Sequence, residues 1–377
     1  MEITIKEVLN KKELKKYIFL PEKVHRGHTN WVHPIYMDEW DYYNPKKNES
    51  FAHCDTILLL AYRGNELVGR IMGLINHQYN DARNEKHGRF NYLETFNDQD
   101  VAHALLEYVE NWAQGKGMIK IIGPFAFSDK DPQGYLTMGY DEPMVIATHG
   151  NYPYMIDILE KEGYTKEADL VAYKVDIPKE DPEIYKRISE RTLRNNPQLR
   201  LLEFTRRRKL RPMIKPVLEL LNRTFIEIYG FAALSEREMK EFANRYLIFI
   251  NPRLVKVIID PDNVPVGFVI GMAEIGKGIQ RCRGRILPFG IFKIFQEARR
   301  TKQMTLLLGG IDKEYRGRGL DTLMGLKMLA SGRKLGKEYA DSHLELETNT
   351  QVRAEMEKMG GVVYKKCRIF QKRLVIG

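Results

Sequence analysis

The chain reads as one string of elements written twice. Thr56–Tyr62 (TILLLAY) and Glu66–Ile75 (ELVGRIMGLI) flank the turn Arg63-Gly-Asn65, while Leu254–Ile259 and Val266–Met272 flank Pro261-Asp-Asn263. Two apolar runs around such a turn predict a hairpin in each half. A strand precedes each hairpin, at Ile3–Val8 and Leu199–Phe204. Apolar residues at helical spacing follow over 99–113 and over Leu320–Leu335. Shorter helices, Tyr154–Glu162 and Gln351–Lys358, then lead to closing strands at Leu170–Val175 and Val362–Phe370. Landmark glycines keep a common offset: Gly69 and Gly267 differ by 198, Gly163 and Gly360 by 197. This pattern predicts an internal duplication. The expected division is a unit over 1–178, a polar linker helix over 179–198 and a unit over 199–377. Each unit is predicted to be α/β, a mixed and mostly antiparallel sheet flanked by helices.

Charge divides along the same line. Residues 1–180 carry 21 Lys and Arg against 28 Asp and Glu, a net of −7; residues 181–377 carry 39 against 22, a net of +17. The overall balance of +10 points to an anionic partner, whether nucleic acid, a membrane surface or a phosphate-bearing cofactor. At 43% hydrophobic residues, global disorder is excluded. Three well-separated cysteines, Cys54, Cys282 and Cys367, argue against a disulfide framework and a cysteine zinc site. They fit a reducing compartment, and a cytoplasmic protein is expected. The start MEITIKEVLNKKELKK has no apolar core of a secretory signal, and no apolar run approaches the ~18–20 residues of a spanning helix.

Thr305–Leu329 (TLLLGGIDKEYRGRGLDTLMGLKML) is the most informative stretch. An apolar strand runs into the turn Arg316-Gly-Arg-Gly319, and a helix starts near Leu320. Glycines allow a tight turn and close approach of a ligand, and the first N–H groups of a helix have no internal partner. Those donors and the positive helix end suit a phosphate. Arg316 and Arg318 can add bidentate contacts. The comparable helix of the first half opens at Asn97-Asp-Gln-Asp100, which is acidic and lacks glycine. The first half is therefore expected to keep the fold without the cofactor, and to shape a substrate cleft.

Tyr315-Arg-Gly-Arg-Gly-Leu320 resembles the coenzyme A loop of the GNAT superfamily of acyl-CoA N-acyltransferases, whose pattern is Gln/Arg-x-x-Gly-x-Gly/Ala. Arg316 and Gly319 fit it, and Asp321 stands where the pattern has Gly or Ala. Glu347-Thr-Asn349 followed by Glu357-Lys-Met-Gly-Gly361 resembles the later superfamily motif, with Met356 where a tyrosine general acid often stands. The ending Gly360–Phe370 and the early Asn30-Trp-Val-His-Pro34 resemble a narrower group of tandem GNAT-like bacterial proteins over nearly the whole chain. The resemblance implies two tandem GNAT domains with acetyl-CoA or a longer acyl-CoA as co-substrate. It implies direct transfer of the acyl group to a primary amine, on a small molecule or a lipid-type acceptor. It places the cofactor on Ile311, Arg316, Gly317, Arg318, Gly319, Leu320, Asp321, Thr322 and Asn349. A non-catalytic acyl-CoA-binding module of the same fold is the other reading.

Transfer to an amine needs a base for the departing proton and donors for the oxyanion. Glu345 and Glu347 alternate with Leu344 and Leu346 on one face of a predicted strand, His343–Glu347. Either can act as base, and either can be a solvated strand face. His149, in Thr148-His-Gly-Asn151, is a third candidate base, with a structural histidine as the alternative. Asn349 reads as a contact to the pantetheine arm or substrate, or as a helix N-cap. Ser128-Asp-Lys-Asp-Pro-Gln-Gly134 is a polar loop after a strand, a usual place for a site, and also a plain turn. The nine histidines show neither HxxxH nor HxH spacing, so no metal is expected.

Gly276–Lys302 is an insert before the strand that leads to the loop. Eight basic residues (Lys277, Arg281, Arg283, Arg285, Lys293, Arg299, Arg300, Lys302) stand against one acidic residue, Glu297. Ile286, Leu287, Phe289, Ile291, Phe292, Ile294 and Phe295 lie between them. The mixture over 277–302 suits peripheral contact with an anionic membrane, or a long acyl chain. It also describes a buried helix whose solvated arginines reach the coenzyme A phosphates. The run Thr205-Arg-Arg-Arg-Lys209 has no nucleic-acid fold motif beside it, so nucleic acid falls to last among the expected partners.

Overall fold

Ile3–Glu7 (β1) pairs antiparallel with Cys54–Arg63 (β2), and the chain turns at Gly64, φ +60°, into Glu66–Asn76 (β3). The first half continues through His87–Thr95 (β4), Lys120–Gly123 (β5), Tyr135–Met138 (β6) and Thr165–Asp176 (β7). The second half supplies Arg200–Glu203 (β8), Val255–Ile259 (β9), Pro265–Ala273 (β10), Gln303–Ile311 (β11), Tyr339–Asp341 (β12), Glu345–Leu346 (β13) and Val362–Arg373 (β14). The structure, a computed structural model, describes residues 2–374, and within the Glu236–Leu247 helix all side chains but those of Phe242, Arg245 and Tyr246.

The expected repeat is present in three dimensions. Helices Gln99–Gly115 and Leu320–Lys334 follow β4 and β11, and Tyr154–Lys161 and Thr350–Lys358 precede β7 and β14. The landmark glycines have a packing reason. A Cβ on Gly69 would stand 2.8 Å from Val101 on the first long helix, and one on Gly267 would stand 3.4 Å from Met324 on the second. Both let a helix lie close on its sheet. Val101, Leu105, Leu106 and Val109 are fully buried there with Ile71 and Phe90. Each such side chain contributes about 1.5–3 kcal/mol of burial.

The described strands form one continuous sheet, in the order β1-β2-β3-β4-β5-β14-β7-β12-β11-β10-β9-β8, with β6 paired to β14 and β13 to β7. The last strands of the two halves have changed places. β14 pairs with β5, from Phe370↔Gly123 to Arg373↔Lys120, while β7 pairs with β12, from Tyr339↔Asp176 to Asp341↔Lys174. They also pair with each other, from Val362↔Lys174 to Gln371↔Thr165. Each half is therefore completed by the other's closing strand.

Two parallel pairings repeat and stop early. β4 pairs with β5 only over His87–Arg89 and Lys120–Ile122, and β11 with β12 only over Gln303–Thr305 and Tyr339–Asp341. Beyond these residues the strands part, leaving a fork in each half. Both β4 and β11 carry a register shift against their antiparallel neighbours, opposite Arg70–Met72 and Ile270–Gly271. The predicted strand His343–Glu347 shrinks to Glu345–Leu346, because His343 at φ +62° leaves extended geometry. Among the described residues no helix is long and apolar enough to cross a membrane.

Candidate active site

Beyond Ile311 the chain makes one short turn, Lys313–Tyr315, and reaches Arg316–Gly319. Gly317 at φ +73° and Gly319 at φ +78° lie in the left-handed region, which favours glycine. Gly319 is the N-cap of the Leu320–Lys334 helix and supplies no side-chain cap. The first helical bond runs from Leu323 N–H to the Gly319 carbonyl. The N–H groups of Leu320, Asp321 and Thr322 thus stay outside the helical ladder, at the positive end of the helix. Arg316 and Arg318 are exposed, each tethered by one bond, Nε–H to Ile311 O at 3.1 Å and Nη2–H to Glu314 O at 2.9 Å. Their remaining donors are available to an anion.

The first half closes the same position. Asp98 caps the Gln99–Gly115 helix by accepting from Val101 N–H at 3.2 Å, and Arg63 Nη2 donates to both Asp98 oxygens at 3.0 and 2.8 Å. A helix start already holding a carboxylate and its guanidinium does not attract phosphate.

The fork of the second half lies beside the loop. Past Thr305, the β11 edge from Leu306 to Ile311 no longer pairs with β12, so its main-chain groups can pair an extended, amide-bearing arm. Glu355 on Thr350–Lys358 faces Asp321 on the other flanking helix, and burial followed by this carboxyl raises the Glu355 carboxyl to about 7. Glu345, on the far side of the fork, is partly buried, and its Oε2 has no partner among the described residues. Burial, then Glu355 and Asp341, push it up to about 8. At neutral pH it holds its proton.

At the base of the fork sits a buried polar cluster. Thr305 Oγ1 donates to Glu274 at 3.3 Å and Gly276 N–H donates to it at 2.7 Å, while burial raises the Glu274 carboxyl to about 7. Asp341 accepts from His343 N–H at 2.8 Å and from the Tyr364 hydroxyl. Segment 139–151 of the first half closes over this cluster: Lys365 Nζ donates to Pro143 O at 2.5 Å, and His343 Nε2 lies 3.1 Å from Ile146 O. Between the halves lies a cavity of about 20 Å³, lined by His28, Asn30, Glu142, His149, His343 and Lys365 among others. It has room for a group the size of a water or an ammonium.

No family model matches the chain. Its fold aligns over 99% of its length with 99% of a tandem GNAT protein from the clavulanic acid biosynthesis pathway, at a TM-score of 0.57 and 12% identity. The chain has the tandem GNAT fold. It also aligns, at a TM-score of 0.55 and 10% identity, with a GCN5-related glucosamine N-acetyltransferase region of a fungal multi-domain β-N-acetylglucosaminidase, over 98% of this chain and 38% of that one. By sequence, the chain is 28% identical over 382 residues to the bacterial ceramide synthase of Caulobacter vibrioides, covering 99% of this chain and 98% of the relative. It is 25% identical over 382 residues to protein YghO of Escherichia coli, covering 98% and 95%.

The sequence-expected residues separate in the structure. Ile311, Arg316–Gly319, Leu320 and Thr322 stay together at the loop, whereas Asp321 turns to Glu355. Asn349 lies outside this group as the N-cap of Thr350–Lys358, accepting from Val352 N–H at 3.4 Å. The two glutamates of the predicted strand part company: Glu347 is bound by Lys166 Nζ at 2.8 Å, which holds its carboxyl below the usual range. His149 sits between the Tyr92 and Tyr135 rings, its Nε2 unpartnered among the described residues, and burial lowers it to about 4. Ser128–Gly134 docks on the second half, through Lys130 Nζ to Ala232 O at 2.6 Å. Missed entirely were Glu274, Asp341, Tyr364 and Lys365, and the group His25, His28 and Glu94. A polar residue ending an apolar strand, as Glu274 does, was one available signal. The spacing His25-x-x-His28 beside Trp31 was another.

Proposed function

We propose that this tandem GNAT protein is an N-acyltransferase that moves an acyl group from an acyl-CoA to the primary amine of a lipid-type acceptor. One observation carries the donor: an uncapped helix start behind Gly317 and Gly319, at the end of a parted strand, in one half only. The N–H groups of Leu320–Thr322, with Arg316 and Arg318, hold the pyrophosphate. The β11 edge from Leu306 to Ile311 holds the pantetheine arm, which delivers the thioester toward Thr305. The acceptor amine enters between the halves and attacks the thioester carbonyl; a C–N bond forms and the C–S bond breaks. Glu345, protonated at neutral pH, stands as the proton donor to the departing sulfur, at the fork where Met356 offers no acid.

The acceptor class comes from the Caulobacter relative, named a ceramide synthase, since a ceramide is the amide of a long-chain amino alcohol. The surface agrees with a lipid acceptor. Leu287 and Phe289, between the helices Gly276–Cys282 and Gly290–Arg300, and Phe292, in the first turn of the second, are 64%, 73% and 67% exposed. Arg283, Arg285 and Lys293 surround them. Exposed aromatics within a basic rim suit insertion into an anionic leaflet. The segment is seated on the first half by Tyr36 N–H to Gly284 O at 3.2 Å and Arg285 to Glu22 at 2.8 Å.

Calorimetric titration with acetyl-CoA and palmitoyl-CoA tests the donor site. Saturable binding that Gly319→Leu abolishes is expected; a wild type that binds neither overturns the reading.

A further inference from the structure

The first half keeps a fork of its own, and what fills it is chemically unlike anything at the other. Glu94, on β4 past the end of its pairing with β5, lies 2.9 Å from His25 Nε2. His25 Nδ1 in turn lies 3.0 Å from His28 Nδ1. The His25 and Glu94 side chains are 2% and 18% exposed, while His28 opens onto the cavity between the halves. Aromatic rings fix the planes: Trp31 stacks on His25 at 4.8 Å and 9°, and Tyr152 on His28 at 4.3 Å and 23°.

The hydrogen bonds determine where the protons lie. A carboxylate can only accept, so His25 presents Nε2–H to Glu94. Neutral His25 then has a bare Nδ1, which accepts from His28 Nδ1–H. That leaves His28 Nε2 as an unprotonated lone pair on the cavity side. A proton taken up at Nε2 turns His28 into a stronger donor at Nδ1. The charge can move across the 3.0 Å bond to His25, against Glu94. Such a chain resembles the carboxylate–imidazole pairing that orients a general base, lengthened by one ring.

We infer that His28 is the base that deprotonates the acceptor amine, with His25 and Glu94 as positioning residues that set its tautomer and receive its charge. The inference rests on the transferase reading. The acceptor arrives as R–NH3+, and His28 Nε2 takes one proton to give R–NH2. The amine attacks the thioester carbonyl; Glu345 gives its proton to the sulfur as the C–S bond breaks and takes up the amine's second proton, giving amide and free thiol. The first half then supplies the base and the second half the acyl donor. Burial, then the neighbouring His25, lowers His28 to about 4, so it rests neutral and alone is a weak base, and proton uptake depends on passing the charge to His25 beside Glu94. Burial disfavours a charged Glu94, but His25, Arg70 and His149 facing it hold the carboxyl below its ordinary range, and the phenols of Tyr17, Tyr135 and Tyr154 complete its surroundings.

The test uses the full chain, palmitoyl-CoA, and sphinganine in micelles, with free thiol as readout. In His28→Asn, kcat is expected to fall at least ~100-fold at about pH 7, with palmitoyl-CoA affinity unchanged. Its rate should climb about tenfold per pH unit toward the amine's own pKa, as solution supplies the free amine that His28 otherwise makes. The near-isosteric Glu94→Gln, which keeps an acceptor and loses the charge, is expected to lower kcat about tenfold without raising the KM for palmitoyl-CoA. A His28→Asn protein that binds palmitoyl-CoA and turns over with the wild-type rate and pH profile overturns the relay and leaves the transferase reading intact. Absence of palmitoyl-CoA binding by the wild type overturns both.

Discussion

The Thr192 hydroxyl donates to the Gly319 carbonyl over 3.4 Å, and a Cβ placed on residue 319 would stand 2.4 Å from that same hydroxyl. The helix Glu183–Asn195 thus packs against the loop that the proposed cofactor needs. Gly319→Ala is expected to cost about 1–2 kcal/mol from the left-handed backbone alone, and to weaken acyl-CoA binding at least tenfold by displacing the helix start. Gly317→Ala carries the same backbone cost at φ +73° but meets nothing within 4 Å. Thermal melts and calorimetry on the pair separate strain from loss of the site: the Gly317 variant should lose stability but keep more of its affinity.

The exchanged closing strands make the halves interdependent. Residues 199–377 expressed alone lack β7, which pairs with β12, β13 and β14. Residues 1–178 alone lack β14, which pairs with β5 and β6. Neither piece is expected to melt cooperatively, whereas co-expression should return a stable complex. A cooperative melt from 199–377 by itself would contradict this.

That exchange could not be read from the sequence. Both closing strands carry apolar runs, Leu170-Val-Ala-Tyr173 and Val362-Val-Tyr364, and such a run marks a strand without saying which neighbour it pairs. The repeat was legible because hairpin turns and glycines under packed helices leave local marks. The loop was legible for the same reason: Gly317 and Gly319 need a left-handed backbone that few other residues tolerate. Glu345 and Glu347 looked equivalent as alternate residues, and only the fold gives one a buried site and the other Lys166. His25, His28 and Glu94 lie far apart along the chain. Their meeting depends on the fork of β4, which periodicity does not reveal.

Four carboxyls are held above their ordinary range: Asp129 by burial, Glu274 and Glu355 to about 7, and Glu345 to about 8. At these groups the folded state binds more protons than the unfolded one between the ordinary carboxyl pKa and these values, so their contribution to stability falls as pH rises through about 4.5 to 8, against the opposite slope below about 6.5 from His28, His87 and His149, which burial holds low. Glu345→Gln is expected to flatten that fall by on the order of 2 kcal/mol, read from urea midpoints across the range. A variant that melts in parallel with the wild type at every pH would count against a protonated Glu345.

The exposed tip offers a separate check. Replacing Leu287, Phe289 and Phe292 together by serine removes side chains worth roughly 1.5–3 kcal/mol each when fully buried. Co-sedimentation with phosphatidylglycerol vesicles is expected to drop at least tenfold, with acetyl-CoA binding untouched. Wild-type binding should weaken with salt, given the Arg283, Arg285 and Lys293 rim. Equal binding of wild type and triple variant would remove the membrane role.

The central claim is amide formation from an acyl-CoA, and its most direct measurement is a mass balance. The full chain is incubated with palmitoyl-CoA and sphinganine, free thiol is measured by colour, and N-palmitoyl amide by mass spectrometry. The account requires thiol and amide to appear in equal amounts, and neither without the protein. Thiol released without amide, or no release above the protein-free rate from a protein that binds palmitoyl-CoA, would contradict it.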